Sequence, residues 1–335
     1  MKIINNYDGS SIDIINEDLR KNEAVLSLRK EKDSYSHYYN FRVENDLNNV
    51  GTVFIKNITK SAYYCPDQEH APYIKETDKE WKRLDSEEWK IDNDTLKINI
   101  QPHKVEEISL SPRYTKNELD EFISKIKNNP NIHIEEKILP QIEIGDKENP
   151  TIIVIGRQHP GETLSSFFIE GMIETIIENK LNYHFLIYPI VNQEGVKNGN
   201  HRYLNETDYN RSWNKQDAPK EIKYIREIVK KTEPQYFIDV HNDEISSKDY
   251  VTMKSNITEI GGIQVLKPRS TIKRFIRAII KQHKIINPRL KTAREYIQQK
   301  YNCKSILIEL SMNEDYTKAE NKGKKFIIDL LKERN

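Results

Sequence analysis

His159 and Glu162 stand three residues apart, directly after Thr151–Ile155, a run that is almost entirely β-branched and apolar. Such a run predicts a strand buried on both faces. His159, Pro160, Gly161 and Glu162 form a polar elbow, and Ser165–Ile177 then resumes with apolar residues at helical spacing. A single turn at the carboxyl end of a buried strand can aim an imidazole and a carboxylate at one point, which suits a metal ion. Sets of two His and one Glu bind catalytic zinc and leave a fourth position open for water.

In a sheet of buried parallel strands, sites form beyond the carboxyl ends of the strands. After Tyr236–Val240 comes His241, with Asp239 two residues ahead of it; within Ser305–Leu310, near its end, lies Glu309. A carboxylate at the end of an apolar strand is costly unless paired, bound or solvated. His159, His241 and Glu309 thus fall at the expected edge, with Glu162 reaching back from the turn. Asp239 is either an acceptor that orients a ligand or a side chain turned away from the metal.

Between these strands, Val191–Trp213 carries Gly195, Gly199 and several Asn, the composition of an irregular loop. Arg202, Asn210 and Arg211 in it suit the grip of a carboxylate, because guanidinium offers a fork and an amide adds a directed donor. The bland alternative is that Arg211 pairs with Asp208 and braces the loop.

The elements that must hold these residues change character along the chain. Residues 1 to about 110 read as short strands. Tyr38–Glu44 and Gly51–Asn57 alternate as an antiparallel pair, and Trp81–Arg83, Trp89–Ile91, Thr95–Ile100 and Ile108–Leu110 follow. A small antiparallel β-sandwich over 1–112 is expected, with Phe41, Phe54, Trp81 and Trp89 in its core. Thr115–Lys127 is an amphipathic helix with a capping box from Thr115 to Glu118. From Thr151 onward strands alternate with helices at Ser165–Glu178, Pro219–Thr232, Ile272–His283 and Lys318–Leu331. This predicts an α/β domain over 113–335, with a mixed, largely parallel sheet flanked by helices.

Bulk composition excludes some partners. Among 335 residues, 53 basic and 52 acidic side chains leave +1, so no global field draws the chain to nucleic acid or membrane. No run approaches a membrane span, and the N-terminus lacks the apolar core of a secretory signal. Cys65 and Cys303 lie far apart and form no CxxC pair, which points to neither a disulfide framework nor a cysteine-zinc site, and to a cytoplasmic home.

Together, His-Pro-Gly-Glu at 159–162, N-x-x-G-V-x-N-G-N-x-R at 192–202, D-x-N-R-x-W at 208–213, D-x-H at 239–241 and the late Glu309 resemble the zinc metallocarboxypeptidases. The likeness is nearest to the cytosolic carboxypeptidase subfamily. Phe41–Asn45, Phe54–Asn57, Trp81–Arg83 and Ser111–Thr115 resemble its β-sandwich domain, and the whole resemblance spans about residues 35–315. It implies one zinc held by His159, Glu162 and His241, with Glu309 as general base and then acid. It also implies that Asn210 and Arg211 hold the substrate's terminal carboxylate and that Arg202 faces the scissile carbonyl. Tyr209 stands where family members usually have Leu, and Asn242-Asp243-Glu244 replaces a Gly-rich run; these acids either tune the pocket or are solvated. Tyr296 and Tyr250 are the candidates for a substrate-closing tyrosine.

The resemblance further suggests removal of C-terminal or branched glutamates from a peptide or protein tail, which requires a basic pocket. Lys254, Lys267 and Arg269 lie in the right interval, in a chain where lysine is common everywhere. A processive deglutamylase, a general carboxypeptidase and a peptidase acting on small or cell-wall peptides all stay open. So do a catalytically silent zinc-binding module for acidic tails and an acyl-amino-acid deacylase on the same core. Oligomeric state is not legible.

Overall fold

The computed structural model describes residues 1–33, 35–64, 71–179, 181–266 and 290–332. They fall into two compact units, Met1–Thr115 with Glu194–Glu206, and Lys116–Gln193 with Thr207–Asn335.

The first unit contains two five-stranded sheets. One runs Lys2–Ile4, Asn40–Asn45, Lys104–Ser109, Tyr73–Glu76 and Lys82–Arg83, antiparallel throughout. The other runs Asp13–Asp18, Glu23–Ser27, Gly51–Lys56, Thr95–Ile100 and Trp89–Asp92, with a single parallel pair between Glu23–Ser27 and Gly51–Lys56. Alternation places Phe41, Val43 and Ile108 of one sheet, and Leu26, Val53, Ile55, Leu96 and Ile98 of the other, in the core.

Two expectations need correction. The strands 40–45 and 51–56 do not pair: they lie in different sheets, and the polar stretch between them carries the chain from one to the other. Period-two alternation specifies which face is buried but leaves the pairing partner open. Phe41 and Trp81 are buried as expected, whereas Phe54 and Trp89 are only half-buried. With Val53 and Ile55 pointing inward, Phe54 must point outward, where the Lys97 ammonium lies 5.8 Å from its ring centre.

The second unit is built on a nine-stranded mixed sheet in the order Ile132–Glu136, Pro140–Ile144, His184–Tyr188, Thr151–Gly156, Tyr236–Asp243, Lys304–Ser311, Tyr250–Thr252, Ile263–Leu266 and Glu259–Ile260. The four central strands, from His184–Tyr188 to Lys304–Ser311, are parallel. Every residue of Thr151–Gly156 is buried, as its uninterrupted apolar run demands. Helices form at Lys116–Ile126, Leu164–Asn179, Lys220–Thr232, Ala293–Lys300 and Tyr316–Lys332. The expected helix Ile272–His283 lies outside the described residues.

Helices Leu164–Asn179 and Tyr316–Lys332 pack with their backbones nearly touching. A methyl group on Gly171 would meet the Glu320 carbonyl oxygen at 2.1 Å, and one on Gly323 would meet that of Phe168 at 2.0 Å. The first helix starts directly after the elbow, and the second follows the strand that carries Glu309, so this contact clamps two site-bearing segments together.

Candidate metal centre and active site

The carboxyl ends of the parallel strands bring His159, Glu162 and His241 together; their ligand atoms lie within 4.8 Å of one another and all three residues are buried. His159 Nδ1 is 2.5 Å from Glu162 Oε1, and His241 Nδ1 is 2.7 Å from Glu162 Oε2. The Asn242 backbone N–H also donates to Oε2, at 3.1 Å. Both imidazoles thus present Nδ1 to the carboxylate and turn Nε2 outward. Each Nε2 meets a further acid: Asp208 Oδ1 lies 3.1 Å from that of His159, and Asp239 Oδ1 lies 3.0 Å from that of His241. An outer carboxylate on a ligand histidine fixes its tautomer and raises its basicity.

These contacts decide two open readings. Asp239 is turned toward the ligand, and Asp208 accepts from His159 instead of bracing Arg211, which makes no ion pair among the described residues. Burial raises the proton affinity of Glu162, but His159 and His241 outweigh it and hold the carboxyl far below its usual range. For His241, burial works against a proton while Asp239 and Glu162 together raise its affinity well above normal. The cluster therefore favours a positive charge at its centre, and two imidazoles with one carboxylate are the donor set a zinc ion takes.

The elbow itself is held by a buried arginine. Arg157 has φ of 56°, and its guanidinium donates to the Pro160 carbonyl, at 2.9 Å from Nε, and to Ser166 Oγ at 3.0 Å. Ser165 Oγ donates to the Glu162 carbonyl at 2.7 Å, and the Ser165 N–H donates to Asn242 Oδ1 at 3.2 Å. The left-handed backbone at Arg157 costs roughly 1–2 kcal/mol, an expense these bonds offset.

Glu309 lies on the strand adjacent to His241 and in register with it. Part of its surface remains open, yet burial pushes its carboxyl well above the usual carboxylate range. His241 opposes that shift, and Asp243, Glu162 and Glu244 add to it. Glu244 is buried and Asp243 half-buried, so these two acids act on Glu309 and are not freely solvated. Tyr250 also pairs in register with Glu309, and its hydroxyl donates to Asp243 Oδ2 at 3.1 Å. Tyr296 packs beside Trp213, with the Arg226 guanidinium 5.5 Å from its ring centre.

Asn210 and Arg211 form a short 3-10 turn, Tyr209–Arg211. Asn210 Oδ1 accepts the Ala293 N–H at 2.9 Å, which leaves its amide nitrogen facing His241 Nε2 at 3.2 Å. Arg211 is half-buried, and its Nη1 donates to the Asn210 carbonyl at 2.9 Å. Arg202 belongs to the segment that clusters with the first unit. There its N–H donates to Glu31 Oε2 at 2.9 Å and its Nη1 to the Tyr63 hydroxyl at 3.0 Å. The Glu31 carboxylate also accepts the N–H groups of His201 and Tyr203.

Of the residues proposed for a basic pocket, Lys254 is exposed, and Lys267 and Arg269 lie outside the described residues. Arg294, which no pattern in the sequence marks directly, stands in the first turn of a helix next to the Asn210 contact. It follows Ala293, the residue bonded to Asn210, and its Nε is buried without a hydrogen-bond partner among the described residues. Burial lowers its proton affinity, and Glu295 opposes that shift. The signal that could have found it is the capping box from Thr292 to Glu295, which marks a helix start beside the site.

Residues 3–111 match the family model described as the cytosolic carboxypeptidase N-terminal domain. Two solved structures align along their whole length. A metallo-carboxypeptidase from Burkholderia cenocepacia gives a TM-score of 0.79 at 18% identity, covering 98% of each chain. The fold is that of the metallocarboxypeptidases. A metallo-carboxypeptidase from Pseudomonas aeruginosa, solved with (2-guanidinoethylmercapto)succinic acid, gives 0.76 at 17% identity and again covers 98% of each chain. Among sequence relatives, an uncharacterized protein of Zymomonas mobilis is 22% identical over 71% of this chain and 66% of its own length. Cytosolic carboxypeptidase 1 of Danio rerio is 38% identical over 22% of this chain, which is 7% of that protein. The alignments thus span a little under two thirds of one curated relative and a small part of the other. The expected architecture, a mixed sheet flanked by helices and preceded by an antiparallel domain, holds over the metallocarboxypeptidase fold.

Proposed function

We propose that this chain is a zinc-dependent carboxypeptidase that removes C-terminal residues, preferentially glutamate, from peptides or proteins. The observation that carries this reading is the buried His159–Glu162–His241 set with Glu309 in register beside its third member. A zinc ion held by those three side chains supplies Lewis-acid activation of a water molecule at neutral pH. Glu309 accepts the proton that the water gives up and returns it to the leaving amine. The Asn210 amide and the Arg211 guanidinium bind the substrate's terminal carboxylate, which makes the reaction one of chain ends. Arg202 is assigned the oxygen of the scissile carbonyl, where a donor matched to developing charge contributes about 3–4 kcal/mol.

Arg294 supports the preference for an acidic side chain. A guanidinium whose Nε is buried and unpartnered among the described residues, one residue beyond the Asn210 contact, is costly unless an anion completes it. The cytoplasm is the proposed setting; no helix among the described residues is long and apolar enough to cross a membrane.

The competing reading from another class is a silent module that binds zinc and acidic tails without turnover, and the presence of Glu309 argues against it. The test is to incubate zinc-loaded protein with peptides ending in Glu, Asp, Lys, Phe or Ala and to follow release by mass. Release from the Glu peptide ahead of the others is expected. Silence on every peptide, with zinc bound, would overturn the enzyme reading in favour of the module.

A further inference from the structure

We propose that Gln158 and Trp213 are positioning residues for the metal-binding imidazole of His241 and act on it through Asp239. The argument starts from what an indole can do: its N–H donates and never accepts. Trp213 Nε1 lies 2.7 Å from Gln158 Oε1, so that amide has only one possible orientation. Its NH2 group then faces Asp239 Oδ1 at 2.8 Å. Trp213, Gln158 and Asp239 have no exposed surface and His241 has 1%, so no solvent competes for these bonds.

Three groups surround His241 Nε2: Asp239 Oδ1 at 3.0 Å, the Gln158 amide nitrogen at 3.3 Å and the Asn210 amide nitrogen at 3.2 Å. Trp213 fixes the first amide as a donor, and the Ala293 N–H on Asn210 Oδ1 fixes the second. With a metal ion on Nδ1, the nitrogen that faces Glu162 Oε2 at 2.7 Å, the imidazole keeps its proton on Nε2, and Asp239 Oδ1 is the one acceptor of the three that can take it. Among the described residues the other Asp239 oxygen is buried with no hydrogen-bond partner, so Oδ1 alone takes the Gln158 amide and lies beside the imidazole. Without the Gln158 donor, no side chain among the described residues but the imidazole itself would orient Asp239. Gln158 also immediately precedes His159, so a single residue ties the elbow that bears two ligands to the strand that bears the third.

The inference rests on the metal-centre reading above and is tested on zinc affinity, with no need of turnover. Purified full-length protein and its variants would be titrated against a zinc chelator, and the cobalt-loaded forms compared by visible absorption. Asp239→Asn is expected to weaken zinc binding about 10–100-fold, Gln158→Met about tenfold and Trp213→Phe several-fold, the range seen for partners of metal ligands. Trp213→Phe keeps an aromatic ring beside Phe237, whose centre lies 5.7 Å from the indole, while it removes the donor and one ring of the bicycle. Because Trp213 acts through the amide, Trp213→Phe combined with Gln158→Met should bind zinc no more weakly than Gln158→Met alone. The cobalt spectrum should shift in each single variant.

Zinc affinities within twofold of wild type in the Gln158 and Trp213 variants would overturn the proposal, as would additive losses in the double variant. Wild-type protein that fails to bind zinc would overturn this inference and the metal centre together. Tight zinc binding without peptide hydrolysis would remove only the carboxypeptidase reading.

Discussion

Glu309 and His241 face each other across neighbouring parallel strands, paired in register, with Ile308 and Leu310 buried on either side of the acid. The hydrogen-bond ladder sets this spacing, so the proposed base is fixed relative to the proposed metal by backbone geometry. A slip of one residue would replace Glu309 with an aliphatic side chain.

Exchange of Glu309 for Gln keeps the shape and removes the base. Glu309→Gln is expected to retain equimolar zinc and to lose about 10²–10⁴-fold in kcat on a Glu-ended peptide. Zinc content and single-substrate kinetics check it together, and undiminished turnover would remove Glu309 from the role.

Arg294 is expected to read the side chain at the cleaved end. Arg294→Ala should raise KM for a Glu-ended peptide about 10–100-fold, the loss of one charge-assisted pair of roughly 1.5–3 kcal/mol. An Ala-ended peptide should be cleaved as before. Equal losses on both peptides would mean that the residue supports the fold and does not select the substrate.

Glu106, in the first unit, makes stability depend on pH. Burial, with Glu76 adding and Lys104 opposing, pushes its carboxyl up to about 7 from an ordinary 4.5. Below 4.5 the group is protonated in both folded and unfolded chains and costs nothing. Between that value and about 7 the unfolded chain releases the proton first, so stability falls as pH rises, by on the order of 2–3 kcal/mol in total. Glu106→Gln should raise the unfolding temperature at pH 8 and change it little at pH 4; equal shifts at both would exclude titration as the cause.

The paired glycines allow a packing test. Alanine normally stabilises a helix interior by about 1 kcal/mol over glycine, yet at Gly171 the added methyl would press on the Glu320 carbonyl at 2.1 Å. Overpacking of this kind costs about 1–3 kcal/mol, so Gly171→Ala should lower the unfolding temperature. A rise would show that the helices can separate freely.

Much of the proposed site was legible in the sequence because its residues stand at or just beyond the ends of strands that are otherwise mostly apolar. His159 and Glu162 stand in the polar elbow just beyond TIIVIG, and His241 directly follows YFIDV; these three side chains meet. Gln158 and Trp213 gave no such signal, since an amide before a histidine looks like any polar turn residue until its partner is known. Arg294 was hidden by a lysine-rich background and by a short helix of eight residues, too brief for a period to show. The sheet assignment of Asn40–Asn45 and Gly51–Lys56 failed for a different reason: partners are chosen by long-range contacts that alternation does not encode.

The grouping of Glu194–Glu206 with Met1–Thr115 has a consequence for biosynthesis. Glu31 has its carboxylate filled by backbone N–H groups of His201, Arg202 and Tyr203, and Gly9 donates its N–H to the Lys197 carbonyl at 2.8 Å. The first unit therefore cannot be completed when its own strands leave the ribosome. It must wait for residues synthesised some eighty positions later, after the elbow and its helix have been made, and a fragment ending at Thr115 would emerge with those polar groups still open to water.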